Sequence, residues 1–91
     1  MPKNEEVIVE TRIALIGIIV EEIMASKEVN QILHEYGEYI IGRMGLPYKE
    51  KSVSIISVVI DADNNIISSL SGKLGMVKGI SVKTMYSKTG K

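Results

Sequence analysis

The 91-residue sequence contains no cysteine, no tryptophan and no phenylalanine, and its only aromatic residues are four tyrosines. Without cysteine the chain cannot form disulfide bridges, thiolate metal sites or cysteine-ligated iron–sulfur clusters. This composition suits a reducing compartment, so we expect a cytoplasmic protein. A chain of this length forms one domain that buries about 60–65% of its unfolded surface. Its core must therefore be built from aliphatic side chains.

Long hydrophobic runs are also missing. The longest, IALIGIIV, spans residues 13–20 and is followed at once by Glu21 and Glu22. A membrane-spanning helix needs roughly 20 apolar residues, so this run has the length of a strand. The first residues, MPKNEEVIVE, are acidic and lack the basic start of a signal peptide. We expect no membrane partner.

The formal net charge is zero, but it is unevenly distributed. Residues 1–38 hold eight acids and three bases, whereas residues 63–91 hold Asp63 and five lysines. A basic end can contact nucleic acid or an anionic ligand; alternatively it is a solvated end, or complements the acidic half of a neighbouring subunit. The lysines are spread out, and no aromatic or arginine cluster accompanies them. We expect no direct nucleic-acid binding.

The pattern of apolar residues predicts the order β-α-β-β-α-β. Strands are expected over 12–20, 38–46 and 53–60 and after Gly79, with helices capped by Ser26 and by Asp63 or Asn64. Gly37 and Gly75 are expected to end the helices in the left-handed conformation. This order predicts an α+β, ferredoxin-like two-layer sandwich with a four-stranded antiparallel sheet and two helices on one face. We place the domain at 11–87, after a polar segment at 1–10 and before a tail at 88–91.

Both faces of the predicted sheet are apolar. In the first strand Ile13, Leu15 and Ile19 share one face, while Ile16 and Ile18 lie on the other. The helices cover one face, so a monomer would expose a large apolar patch. This predicts self-association as a homodimer or homotetramer. Face-to-face packing, edge pairing and coverage by a partner protein are the three possible arrangements.

Few residues suggest chemistry. His34 is the only histidine, so we expect no metal site and place it on a helix surface or an interface. Gly72 and Lys73 are not followed by Ser or Thr and have no glycine five residues earlier, which excludes a phosphate-binding loop of the Walker type. The glutamates show no paired acid–base spacing. We therefore expect no enzyme, no catalytic residues and no cofactor.

The segment YIIGRMGLPY, residues 39–48, has two features of interest. Gly42 and Gly45 suggest a bulge or a close backbone approach. Arg43, one of two arginines, could hold a carboxylate or phosphate through its guanidinium fork. Alternatively, it pairs with a glutamate across an interface on a twisted edge strand.

The segment LGMVKGISVKT, residues 74–84, is similar to the end of ACT-type regulatory domains. Together with TRIALIGIIVE, VNQILHEYGEYIIGRMGLPY, VSIISVVIDA and ISSLSGKLGMVKGISVK, the chain resembles the family of iron-only hydrogenase system regulators. The resemblance covers about residues 11–87, and HEYGEYIIGRMGLPY, residues 34–48, is its most specific part.

The resemblance implies an oligomeric ACT-like regulatory domain without catalytic residues, found in bacteria that carry iron-only hydrogenase. ACT-type domains bind small molecules near the loop after the first strand, which here contains Glu21, Glu22 and Ser26. Arg43 and Tyr48 are further candidates for an anionic or aromatic contact. Nickel sensing, known for a similar fold, needs several histidines and a cysteine and is not implied. A small-molecule effector, or another regulatory or maturation protein, is the expected partner besides the chain itself.

Overall fold

The fold follows the predicted order of elements. The structure, a computed structural model, describes residues 10–88. Its strands are β1 (Arg12–Val20), β2 (Ile40–Tyr48), β3 (Val53–Ala62) and β4 (Ile80–Tyr86), and its helices are α1 (Ser26–Glu35) and α2 (Asn64–Gly75). Apart from residues 10 and 88, the predicted segments 1–10 and 88–91 lie outside the described residues. No helix within residues 10–88 is long and apolar enough to cross a membrane.

The four strands form one antiparallel sheet in the order β2-β3-β1-β4. The two most apolar strands, β1 and β3, therefore lie in the centre, and β2 and β4 form the edges. This is the strand order that a split βαβ unit produces when it is doubled. The predicted ferredoxin-like α+β class is confirmed.

The core lies between the sheet and the two helices. From the sheet it takes alternate residues of the central strands, which point to the helices: Ala14, Ile16, Ile18, Val20, Ile56, Val58, Ile60 and Ala62. The helices contribute Val29, Leu33, Ile67, Leu70 and Leu74. Burial of each large aliphatic side chain contributes about 1.5–3 kcal/mol. The core is entirely aliphatic apart from tyrosines at its margin, as the composition predicts.

Of the two predicted N-terminal helix caps, the one on α2 is confirmed and the one on α1 is wrong. Asp63 caps α2, because its Oδ1 accepts a hydrogen bond from the Ile66 N–H at 2.9 Å. The prediction that Ser26 caps α1 is wrong. A 3-10 turn, Ile23–Ala25, leads directly into α1, so Ser26 already has helical backbone angles and makes no capping bond.

The predicted left-handed glycines at the helix ends are also wrong. Among residues 10–88, positive φ angles occur at Gly79 (85°) and Ser52 (56°), and not at Gly37 or Gly75. The two helices are followed by the C-cap residues Tyr36 and Met76, whose N–H groups donate to carbonyl oxygens three residues earlier. Gly79 is the position that needs glycine.

Strand β2 begins and ends two residues later than predicted. The 3-10 turn Gly37–Tyr39 takes up the first residues of the predicted strand. Pro47 is tolerated near the other end because an edge strand needs hydrogen bonds on one side only. The register shifts between Ile40 and Gly42, which is the bulge that the glycines predict.

Candidate functional site

The loop after β1 is tied to the start of β4. The N–H groups of Glu21 and Glu22 donate to the carbonyl oxygen of Gly79 at 2.8 and 3.0 Å. The Glu21 carboxylate also accepts a hydrogen bond from the Ser81 hydroxyl at 2.7 Å. Two of the predicted ligand residues thus lie at a defined loop, in which the exposed Glu21 carboxylate has Ser81 as its partner.

Gly79 and Ser81 were not predicted as part of this site. Their position follows from the register, which places Val20 at the end of β1 opposite Ile80 at the start of β4. The order of strands in the sheet brings the two loops together, and the order along the chain does not. A sequence signal is present in Gly79, because a glycine just before a strand allows the positive φ angle that the turn requires.

Asn30 connects two further candidates, Ser26 and Arg43. The Arg43 Nη2 donates to the Asn30 Oδ1 at 2.7 Å, and the Asn30 Nδ2 donates to the Ser26 carbonyl oxygen at 2.9 Å. This links the edge strand β2 to the first turn of α1. The guanidinium is exposed and keeps other N–H donors for an anion. The alternative, a glutamate across an interface, stays a prediction.

Tyr48 lies apart from this cluster, at the end of β2 and on the sheet face away from the helices. It pairs with Val53 and is 41% exposed. A hydrogen bond to the Glu50 carboxylate, and to a lesser extent burial, raises the pKa of the Tyr48 hydroxyl above its ordinary value. The five candidates therefore fall into three places: the loop after β1, the Asn30 link, and the end of β2.

The second notable surface is the sheet face opposite the helices, which we call the open face. Its large apolar residues, each 38–68% exposed, are Ile13, Leu15, Ile19, Met44, Leu46, Tyr48, Ile55 and Met85. The open face also contains a shallow depression of about 300 Å³ lined by Gly17, Ile19, Ile55, Ser81 and Lys83. Gly17 creates it, since a β-carbon at this position would contact nothing within 4 Å. The predicted apolar patch is present.

A smaller cavity of about 220 Å³ lies at the opposite end of the sheet, between Glu10, Thr11, Arg12 and Asn64. The Arg12 Nη2 donates to the Ser87 carbonyl oxygen at 2.8 Å, and its guanidinium stacks near the Tyr86 ring. These contacts join the start of β1 to the end of β4. The cavity holds an acid as well as the arginine, so it does not select an anion.

His34 lies exposed on α1. Within residues 10–88 no group of three histidine, cysteine, aspartate or glutamate side chains is arranged to hold a metal ion.

The strand order β2-β3-β1-β4, with α1 and α2 packed on one face of the sheet, defines a small ferredoxin-like α+β domain. Residues 12–84 match a family described as "Iron-only hydrogenase system regulator, putative". The chain belongs to this family. It is 40% identical to the uncharacterized protein TM1266 from Thermotoga maritima, with a TM-score of 0.83 over 87% of this chain and 100% of that one.

More distant structures share the fold alone. The C-terminal domain of the MgtC protein from Mycobacterium tuberculosis is 10% identical, with a TM-score of 0.67 over 90% of this chain and 94% of that domain. A formyltetrahydrofolate deformylase from Pseudomonas putida is also 10% identical, with a TM-score of 0.58 over 80% of this chain and 28% of that enzyme. The comparison with curated proteins gave no match.

Proposed function

We propose that this protein is a non-enzymatic regulatory domain of an iron-only hydrogenase system, that it works as an oligomer, and that it senses a small molecule at a subunit interface. Family membership supports the regulatory part. The open face supports the proposal of an oligomer, because exposure of its eight large apolar side chains to water is unfavourable.

The loop after β1 is the proposed sensing site. The exposed carboxylates of Glu21 and Glu22 can accept hydrogen bonds from an ammonium group, and the Ser81 hydroxyl lies within hydrogen-bonding distance of Glu21. A ligand that bound there would contact both the loop and the start of β4. Arg43 and Tyr48 are also exposed. We propose them as secondary contacts for an anionic or aromatic group of a ligand.

Thermal-shift measurements on the full chain test the sensing proposal. Individual amino acids, nucleotides and divalent metal ions serve as probes, and we expect an amino acid to raise the melting temperature. The Glu21→Gln variant should lose this shift, whereas Glu28→Gln, at an exposed glutamate on α1, should keep it. No shift with any probe, or an equal shift in both variants, would contradict the sensing proposal.

A ligand-free adaptor is the second candidate function. Ile23, Met24 and Met76 are 75%, 87% and 84% exposed. They flank the contact between Glu22 and Gly79 along the chain. Exposed methionines adapt to varied protein surfaces, so this group suits a maturation protein of the hydrogenase as a partner. Binding of purified maturation proteins that is lost in Met24→Lys, but not in the open-face variant Met85→Lys, would favour the adaptor over the sensor.

A further inference from the structure

Large and small side chains have a regular arrangement on the open face, which the composition of the face does not reveal. The strand register arranges its residues in three rows across β2, β3, β1 and β4: Leu46, Ile55, Ile19, Ser81; then Met44, Ser57, Gly17, Lys83; then Gly42, Val59, Leu15, Met85. In the first row the large residue is at the β2 edge and the small one at the β4 edge. In the third row this is reversed.

We infer that a second copy of the chain covers the open face, about a two-fold axis that runs parallel to the strands. Such an axis places β2 over β4 of the second copy and β3 over its β1. The inference rests on the self-association in the proposed function, and it adds which surface associates and in which orientation. Two sheets that pack face to face in this way lie about 10 Å apart with nearly aligned strands.

The sizes of the edge residues agree with this axis. Leu46 lies over Ser81 of the second copy, and Gly42 lies over its Met85, so that each large side chain meets a small one. The Ser81 side of the depression then receives Leu46 from above, while Gly17 faces Ser57 of the second copy. A close fit of large side chains into such spaces is what gives a stable interface its packing density.

The charge on the face agrees as well. Lys83 is the only charged residue in the three rows. A two-fold axis perpendicular to the strands would place β4 over β4 and bring Lys83 against its own copy, which is unfavourable. The axis parallel to the strands places Met44 over Lys83 instead. There the lysine stem packs on the thioether while the ammonium group reaches the edge.

The face is large enough for such a dimer. Four strands about 4.8 Å apart and seven residues at about 3.4 Å each give a projected area of about 450 Å². The two copies together therefore contribute on the order of 900 Å² in projection, and the accessible area of a corrugated surface is larger. This reaches the ~1,000 Å² that a stable interface requires.

Cross-linking of single-cysteine variants tests the axis, since the natural chain has no cysteine. Full-length Met44→Cys and Lys83→Cys are treated, separately and as an equilibrated mixture, with a bis-maleimide that spans about 10 Å, the spacing of face-packed sheets. We expect a covalent dimer in the mixture only. In either variant alone, the two identical positions lie about 17 Å apart.

The alternatives give different results. A dimer band from one variant alone indicates the perpendicular axis or edge pairing, and it overturns this inference while self-association stands. No band in any sample, with a dimer in light scattering, also overturns it. A monomer in light scattering at micromolar concentration overturns self-association itself and this inference with it.

A matched glycine pair provides an independent test of the surface. A β-carbon at Gly17 or at Gly72, which is exposed on α2, would contact nothing within 4 Å, so both accept a side chain in the monomer. Gly17→Glu places a carboxylate in the interface and should raise the dimer dissociation constant by about 100-fold or more. Gly72→Glu should leave it unchanged. An equal dissociation constant in the two variants, both folded by circular dichroism, overturns the inference.

Discussion

The side chain of Glu22 packs against the backbone of Gly79. A β-carbon at Gly79 would lie 2.8 Å from the β-carbon of Glu22 and 3.0 Å from the Cγ and Cδ atoms of the same side chain. Gly79 also has a φ angle of 85°, which other residues adopt only at a cost. Close approach and backbone conformation thus both require glycine where the proposed ligand loop meets β4.

Gly79→Ala should therefore lower the free energy of unfolding by about 2–4 kcal/mol, from the left-handed conformation and the crowding with Glu22 combined. Urea denaturation followed by circular dichroism measures this change. Gly72→Ala is the control, because it lies in α2 with open space around it and should stabilise by about 0.5–1 kcal/mol. Similar losses in the two variants would show that the contact with Glu22 has no energetic role.

The cap at Asp63 should be measurable in the same way. Asp63→Ala removes the acceptor for the Ile66 N–H and should cost about 1 kcal/mol. Asp61→Ala removes the same charge two residues earlier, from an exposed position at the end of β3, and should change the stability by less than ~0.5 kcal/mol. If Asp61→Ala proved the more costly variant, general charge effects rather than capping would explain the loss.

Ile16 and Leu15 are neighbours on opposite faces of β1. Replacing Ile16 should lower the stability of the fold, whereas replacing Leu15 should weaken association between copies. Ile16 is fully buried between sheet and helices, so Ile16→Ala should cost about 2–5 kcal/mol at any protein concentration. Leu15 is 38% exposed on the open face. Its loss should weaken mainly the association.

Urea unfolding at two protein concentrations separates these effects. A dimer is more stable at the higher concentration by mass action, and this dependence should shrink in Leu15→Ala but persist in Ile16→Ala. An unchanged concentration dependence in Leu15→Ala would count against the open face as the site of association.

The Tyr48 hydroxyl should lose its proton at a higher pH than an ordinary tyrosine hydroxyl. Its pKa is raised above 10.0 by the hydrogen bond to Glu50, and Glu50→Gln should lower it towards that value. Because the pKa is higher in the folded protein than in the unfolded chain, the associated stability is complete below about pH 10 and is lost as pH rises through the folded pKa. Ultraviolet absorbance titration, with Tyr48→Phe subtracted to isolate this residue, gives the value.

Glu28→Gln is the control for that titration. It removes one carboxylate from exposed α1 and should leave the Tyr48 curve in place. A shift of the same size in both variants would indicate net charge, and not the Glu50 contact, as the cause.

Local patterns were sufficient for most of the fold. β1 has the predicted bounds, and Asp63 caps α2, because a run of β-branched residues and a capping aspartate act within a few residues of themselves. The left-handed conformation predicted at Gly37 and Gly75 was wrong, although α2 does end at Gly75. A glycine permits a left-handed turn but does not require it, and the chain leaves both helices through 3-10-type bonds instead.

The positions of the candidate site residues along the chain could be predicted from the sequence, but their contacts could not. Glu21 and Glu22 could be placed in the loop after β1 by counting along the chain. Their contacts with Gly79 and Ser81 could not, because these residues are about sixty positions away and meet them only when β4 pairs with β1. The Asn30 link between Arg43 and Ser26 likewise needed the packing of α1 beside β2.

The sequence by itself determined the order of strands and helices, the aliphatic core and the presence of a second apolar face, since each depends on the spacing of apolar residues along a strand or helix. Only the tertiary structure decided which residues of that face stand side by side. Pairing of distant strands sets the register, and the register places Leu46 in line with Ser81 and Gly42 in line with Met85. No local interaction carries that information.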